Sequence, residues 1–259
     1  MFTEVVSDRG DGPCVVYVPG IDGSGELLFS TASRLERRFR LVRLRYVRGV
    51  SKKNETYPHL AESLVESVGL RGVESMILLA ESFGGGVALQ AALDYPDRVR
   101  ALVLVNTFPR FRRRTGLVFT RLGAKLLPRS VLSWGRDHVA PQVLFGKRKE
   151  DEAIRAFRET VASWRLDSAY RARLAMIARL DLRDRLGEVH QPTLLFAGTD
   201  DRVVDSVRQA REMGERLPNS TLETIDGGGH MILPLAEIDW VDYLAEADSA
   251  AMATPGGAA

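Results

Sequence analysis

Three side chains stand in an order and a setting suited to nucleophilic catalysis: Ser82, Asp201 and His230. Ser82 lies in "LLAESFGGGVAL", between an apolar run that reads as a strand and a glycine-rich stretch that opens a helix. A sharp strand-to-helix turn holds a serine in a strained backbone conformation and leaves room only for small residues two positions to either side. Ala80 and Gly84 fill those positions, so A-E-S-F-G departs from the usual G-x-S-x-G by one methyl group. The helix start also supplies unpaired N–H groups and the positive end of a dipole, so the Phe83 amide is a candidate donor to a developing oxyanion. The competing reading of the same motif is a serine that merely begins a helix.

A serine hydroxyl needs a base, and the base needs an acid to orient it. Of four histidines, His230 sits in "DGGGHMILP", a glycine-rich loop after the last strand-like run. His59, His138 and His190 read as surface or structural residues. The acid is expected after a strand and between serine and histidine in the chain. "AGTDDRVV" offers Asp200 and Asp201 there. Asp201 fits the G-x-x-D-x-x-V spacing and Asp200 is the fallback. The preceding strand ends in "LVNTFP", which offers only Asn106.

These residues need a scaffold that brings strand ends together. Six runs read as strands: Cys14–Pro19, Phe39–Val47, Glu74–Ala80, Arg100–Asn106, Pro192–Gly198 and Ser220–Asp226. Helical patterns at Leu27–Arg37, Tyr57–Gly69, Phe83–Asp94 and Ser206–Arg216 alternate with them. Such alternation predicts an α/β fold with a mostly parallel sheet and helices on both faces. From Phe108 to about Leu186 the apolar residues keep a helical spacing and no strand is evident, so 108–186 reads as a helical insertion. The core is then 1–107 with 187–246, and residues 247–259, in "EADSAAMATPGGAA", read as a disordered tail.

Composition sets outer limits. The chain has 259 residues, 45% of them hydrophobic and 27% charged, with a net charge of +2, ordinary for a globular protein with a full core. The lone cysteine, Cys14, excludes an internal disulfide and a Cys-rich metal site, and its apolar run makes it a small buried residue. The N-terminus does not read as a signal peptide, and no apolar run is long enough to cross a bilayer, so a cytoplasmic protein is expected. Charge is uneven. Phe108 to His190 holds 19 Lys/Arg against 9 Asp/Glu, a net of +10, which leaves the rest at −8. That split suits an anionic group or a membrane surface at the insertion, with "RFRRR" (Arg110 to Arg114) its densest point, although solvated helix faces produce the same count. Nothing points to nucleic acid, to a metal or to a dinucleotide.

With Ser82, Asp201 and His230 in this order, each after a strand, the chain resembles the α/β-hydrolase superfamily from about Cys14 to Leu244, and 108–186 falls where that family carries its cap. The resemblance implies a second oxyanion donor after the first core strand. There the family usually reads His-Gly and this chain reads Pro19-Gly20-Ile21, so the donor is the Ile21 amide. A backbone donor does not depend on the replaced histidine side chain, and each such donor is worth about 3 kcal/mol of barrier. Asp22 then lies near the pocket mouth, as a substrate contact or as a turn residue. In the cap, Leu117, Val118, Phe119, Leu122, Leu126 and Leu127 line an acyl pocket or pack the cap on itself. "PGIDGSGELLF", "ESFGG" and "VNTFPR" are together similar to the phytyl ester synthase and diacylglycerol acyltransferase-like branch and its short bacterial relatives, which implies long-chain acyl groups. The expected function is hydrolysis of a carboxylic ester or thioester through an acyl-enzyme, with no cofactor and a small or lipid-like acyl substrate. An acyltransferase, a carbon–carbon bond hydrolase and a ligand receptor without turnover are the alternatives.

Overall fold

A computed structural model describes residues 1–49, 55–111, 131, 134, 135, 138–148, 151–162 and 168–253. Seven strands form one sheet: β1 (Phe2–Arg9), β2 (Cys14–Val18), β3 (Arg40–Val47), β4 (Met76–Glu81), β5 (Val99–Val105), β6 (Thr193–Gly198) and β7 (Ser220–Ile225). Their order is β1-β3-β2-β4-β5-β6-β7, and every pairing is parallel except that of β1 with β3. The helices are α1 (Ser30–Leu35), α2 (Tyr57–Gly69), α3 (Phe83–Asp94), α4 (Ala140–Leu144), α5 (Asp151–Val161), α6 (Ser168–Ile177), α7 (Ser206–Gly214) and α8 (Trp240–Ala253). Between β5 and β6 the named elements are α4 to α6 and a 3₁₀ turn at Arg183–Glu188, all helical.

The central strands are nearly continuous apolar runs because both faces are covered. Side chains alternate between the faces with the period of two that a strand imposes. Val16, Val18, Leu78, Ala80, Leu102 and Leu104 meet Leu60, Leu64 and Val68 of α2 and Val87, Ala88 and Ala91 of α3. Val15, Tyr17, Ile77, Leu79, Val103 and Val105 meet Leu35 of α1 and Trp240 and Leu244 of α8.

Two expectations are corrected. The sheet has a seventh strand, β1, at its antiparallel edge. It is polar enough to miss by composition because an edge strand is held by cross-strand pairs, here Glu4 with Arg45 at 2.6 Å and Asp8 with Arg40 at 2.8 Å. The predicted disorder from 247 is also wrong as far as Ala253, where α8 ends. Ala247 and Ala251 continue the buried face begun by Trp240 and Leu244, and Asp248 pairs with Arg100 of β5 at 2.9 Å. Alanines on the buried face had hidden the helical period. Residues 254–259 lie outside the described part. Cys14 is buried as expected, and burial pushes its thiol up to about 11.

Candidate active site

Ser82 joins β4 directly to α3 with φ 51° and ψ −118°, a conformation that non-glycine residues rarely hold. The surroundings over-determine it. Its N–H donates to the Val105 carbonyl at 3.0 Å, and its carbonyl accepts from Gly85 N–H at 3.1 Å and from the Thr107 hydroxyl at 2.6 Å. The turn can be this tight only with small neighbours. A Cβ on Gly84 would come within 2.4 Å of the Val18 carbonyl oxygen, and one on Gly85 within 2.0 Å of Thr107 Oγ1. Phe83 is the first residue of α3, so its N–H has no acceptor inside the helix.

The loop after β7 brings His230 Nε2 to 2.9 Å from Ser82 Oγ. His230 Nδ1 lies 2.7 Å from Asp201 Oδ2. Asp201 leaves the end of β6, and its other oxygen accepts the N–H groups of Val203 at 2.8 Å and Val204 at 3.0 Å, while the Ser206 hydroxyl donates to Oδ2. The Asp201 side chain is fully buried and that of His230 is 10% exposed. Burial is the largest single influence on each and favours its neutral form, but the partner's charge and the hydrogen bonds together outweigh it. The Asp201 carboxyl, bonded by His230, Ser206 and Val204, lies below its ordinary range, and the His230 imidazole, beside Asp201 and Glu81, lies above its ordinary 6.5. Asp200, the fallback acid, instead faces Arg202 at 3.5 Å. The other histidines stand elsewhere, His59 beside Glu62 at 3.2 Å and His138 stacked on Trp134.

Asn106, which in the sequence marks only the lack of an acid after β5, braces the site. At φ 46° its side-chain amide donates to the carbonyls of Gly229 at 3.0 Å and His230 at 2.8 Å, and its oxygen accepts Gly198 N–H at 2.8 Å. One side chain thus ties the ends of β5 and β6 to the histidine loop. The only signal for it in sequence is a residue type that tolerates positive φ at a strand end.

The Pro19–Gly23 loop faces the start of α3. Asp22 is committed to a local turn, with its Oδ2 accepting Ser24 N–H at 2.8 Å and the Ser24 hydroxyl at 2.6 Å. Leu117, Leu122 and the other proposed pocket leucines, together with Val118 and Phe119, lie outside the described residues, as do Arg112 to Arg114. Among the described residues, no group of three or more His, Cys, Asp or Glu side chains is placed to hold a metal ion.

Glu81, immediately before Ser82, is a feature the motif did not reveal. It is 6% exposed, accepts the Tyr17 hydroxyl and is bonded by the Gly20 amide. Burial pushes its carboxyl up to about 7, and the Asp22 carboxylate adds to the rise, against the opposing pull of Tyr17, His230 and Gly20. Between its ordinary 4.5 and about 7 the folded protein therefore keeps a proton that the unfolded chain releases, so this group lowers stability as pH rises through that window. Glu81→Gln removes the titration. Urea unfolding at pH 5 and pH 8 is expected to shift the stability difference by roughly 3 kcal/mol in favour of Gln at the higher pH. A difference independent of pH would show that Glu81 ionises normally.

A profile of the alpha/beta hydrolase fold matches residues 13–236. A protein of Caulobacter sp. named "Putative carbamate hydrolase RutD" is 27% identical over 233 residues, 85% of this chain and 84% of that one. Among solved structures, the esterase EaEST from Exiguobacterium antarcticum superposes with a TM-score of 0.76 at 20% identity, covering 95% of this chain and 93% of that one. A thermophilic esterase from Thermogutta terrifontis superposes at 0.73 and 22% identity, covering 95% and 91%.

Proposed function

Since the chain belongs to the α/β-hydrolase fold family, we propose that it is a serine hydrolase acting on a carboxylic ester or thioester through an acyl-enzyme. The observation that carries this is the unbroken line of contacts from Ser82 Oγ to His230 to Asp201, at 2.9 and 2.7 Å, on a backbone strained at the serine. The Asp201 carboxylate accepts a proton-bearing Nδ1, which leaves Nε2 with a free lone pair toward the serine. Nε2 takes the Ser82 proton as Oγ attacks the substrate carbonyl. The oxyanion is held by the amides of Phe83 and Ile21. The imidazolium then gives its proton to the departing alcohol or thiol. A water molecule, deprotonated by the same nitrogen, attacks the acyl-enzyme and releases the acid with Ser82 restored.

The substrate is approached through its acyl side. The resemblance to the phytyl ester synthase branch favours a long-chain acyl group, and a basic cap at 108–186 would suit an anionic donor such as acyl-CoA or an anionic surface. A lone buried Cys14 fits a cytoplasmic setting, and among the described residues no helix is long and apolar enough to cross a membrane.

Two measurements test the reading. A fluorophosphonate probe is expected to modify the wild type at Ser82. A panel of p-nitrophenyl esters of rising chain length, acyl thioesters, carbamates and diketones is expected to show turnover of the esters or thioesters. Carbamates enter because of the name of the relative described above, and diketones because carbon–carbon hydrolysis is a reaction of the same fold. Product diverted from acid to ester by an added alcohol would make the enzyme an acyltransferase. Folded wild type that is neither labelled nor active would make it a ligand receptor.

A further inference from the structure

We infer that Arg173, on α6 between β5 and β6, is a positioning residue that sets the direction of the Ile21 N–H; the inference rests on the acyl-transfer reading given above. Four successive carbonyls of the Pro19–Asp22 stretch each have a donor. Pro19 accepts the Tyr46 hydroxyl at 2.9 Å, and Gly20 accepts Gly23 N–H at 3.2 Å. Ile21 accepts Arg173 Nε at 2.7 Å, and Asp22 accepts Arg173 Nη2 at 3.1 Å. The arginine is 5% exposed and its guanidinium lies 5.9 Å from the centre of the Tyr46 ring. That ring in turn stands edge-on to Phe83 at 5.2 Å, beside the other proposed oxyanion donor.

Peptide planarity passes the constraint along. A C=O and the following N–H share one plane and point in opposite directions. The bond from Arg173 to the Asp22 carbonyl therefore orients the Gly23 N–H. That N–H donates to the Gly20 carbonyl, whose plane carries the Ile21 N–H. The second bond, to the Ile21 carbonyl, fixes the intervening plane, so the loop has no peptide left to flip. Only a planar fork with several donors reaches two adjacent carbonyls at once, a geometry that an ammonium cannot copy. An N–H already aimed at the oxyanion needs no reorganisation during reaction, so loosening it acts on the transition state and not on substrate binding.

Arg173→Met, Arg173→Lys and Arg173→Ala are compared with wild type in steady-state ester hydrolysis, in the pH dependence of kcat/KM and in thermal unfolding. Arg173→Met is expected to lower kcat by about 10² to 10³, the effect of one lost oxyanion donor, with KM within a few-fold and the acid limb of the profile unmoved, since His230 keeps its partners. Arg173→Lys is expected to recover a minor part of the loss. Guanidinium chloride, far below denaturing concentration, is expected to raise the kcat of Arg173→Ala and to leave wild type unchanged. A folded Arg173→Met or Arg173→Lys with wild-type kcat overturns the inference, as does a loss confined to KM or a failure of guanidinium to rescue. Those outcomes leave the wild type active and labelled at Ser82. An inactive, unlabelled wild type overturns the acyl-transfer reading itself, and this inference with it.

Discussion

Ser82→Ala is expected to lower kcat by about 10⁶ while the protein melts at nearly the wild-type temperature. The substitution removes one oxygen and keeps the Cβ. The backbone bonds that hold the turn, Ser82 N–H to Val105 and the Ser82 carbonyl to Gly85 and Thr107, do not involve the side chain. Alanine takes up the same φ of 51° under the same restraints, so strain at the turn is common to both proteins. The lost contact is Oγ to His230 Nε2 at 2.9 Å, and Ser82 is half-buried and not sealed in the core. KM should change little, because the substitution touches none of the groups proposed to hold the acyl chain or the oxyanion. A residual rate above the uncatalysed reaction, by 10³ to 10⁴ in comparable systems, is expected from those amides and from substrate binding alone. Kinetics on the best p-nitrophenyl ester, paired with a thermal melt, decides the matter. Activity within tenfold of wild type in a folded variant would remove Ser82 from the reaction.

How far the site could be read in advance follows from which constraints are local. Ser82 and its neighbours announce themselves because the sharp turn admits only small residues at 80 and 84, and that demand is met within five consecutive positions. Asp201 and His230 were legible because strand ends set where such groups must emerge. The choice of Asp201 over Asp200 is a one-residue matter of which side of the turn faces the imidazole, and the contact at 2.7 Å falls on the residue with the better spacing to Gly198. What escaped is tertiary. Asn106 matters through carbonyls more than 120 positions away, Arg173 through a loop some 150 positions away, and Glu81 through the burial of Tyr17 beside it. None of these leaves a local pattern, because an asparagine, an arginine or a glutamate in such stretches is ordinary on a surface. The missed edge strand and the shortened tail have the same origin. Their side chains are polar or small, and only the partner strand and the covered sheet face make them regular. The segment holding Leu117 and Leu122 falls outside the described residues, so the acyl pocket stands as a reading of the sequence.

Asp201→Asn should cost about 10⁴ in kcat, and the hydrogen bonds around residue 201 say why so small a change is expected to do so much. The N–H groups of Val203 and Val204 both point at Asp201 Oδ1, at 2.8 and 3.0 Å, and each needs an acceptor. An asparagine can meet that need only by placing its carbonyl oxygen there, which turns its NH₂ toward Ser206 and His230. Facing a donor, the imidazole must offer Nδ1 as a lone pair and carry its proton on Nε2. The proton then points at the Ser82 hydroxyl, and the nitrogen that should accept has become a donor. The acid limb of the pH profile gives a second readout of opposite origin. In the wild type, kcat/KM is expected to rise as His230 loses its proton at a pH above 6.5, because the Asp201 charge and hydrogen bond, with the Glu81 charge, together outweigh burial. With asparagine the burial remains and the charge is gone, so the limb moves to lower pH. Fluorophosphonate labelling of Ser82 should slow in parallel with kcat. A variant within tenfold of wild type, or one whose acid limb stays in place, would mean that residue 201 neither fixes the tautomer nor supports the charge on His230.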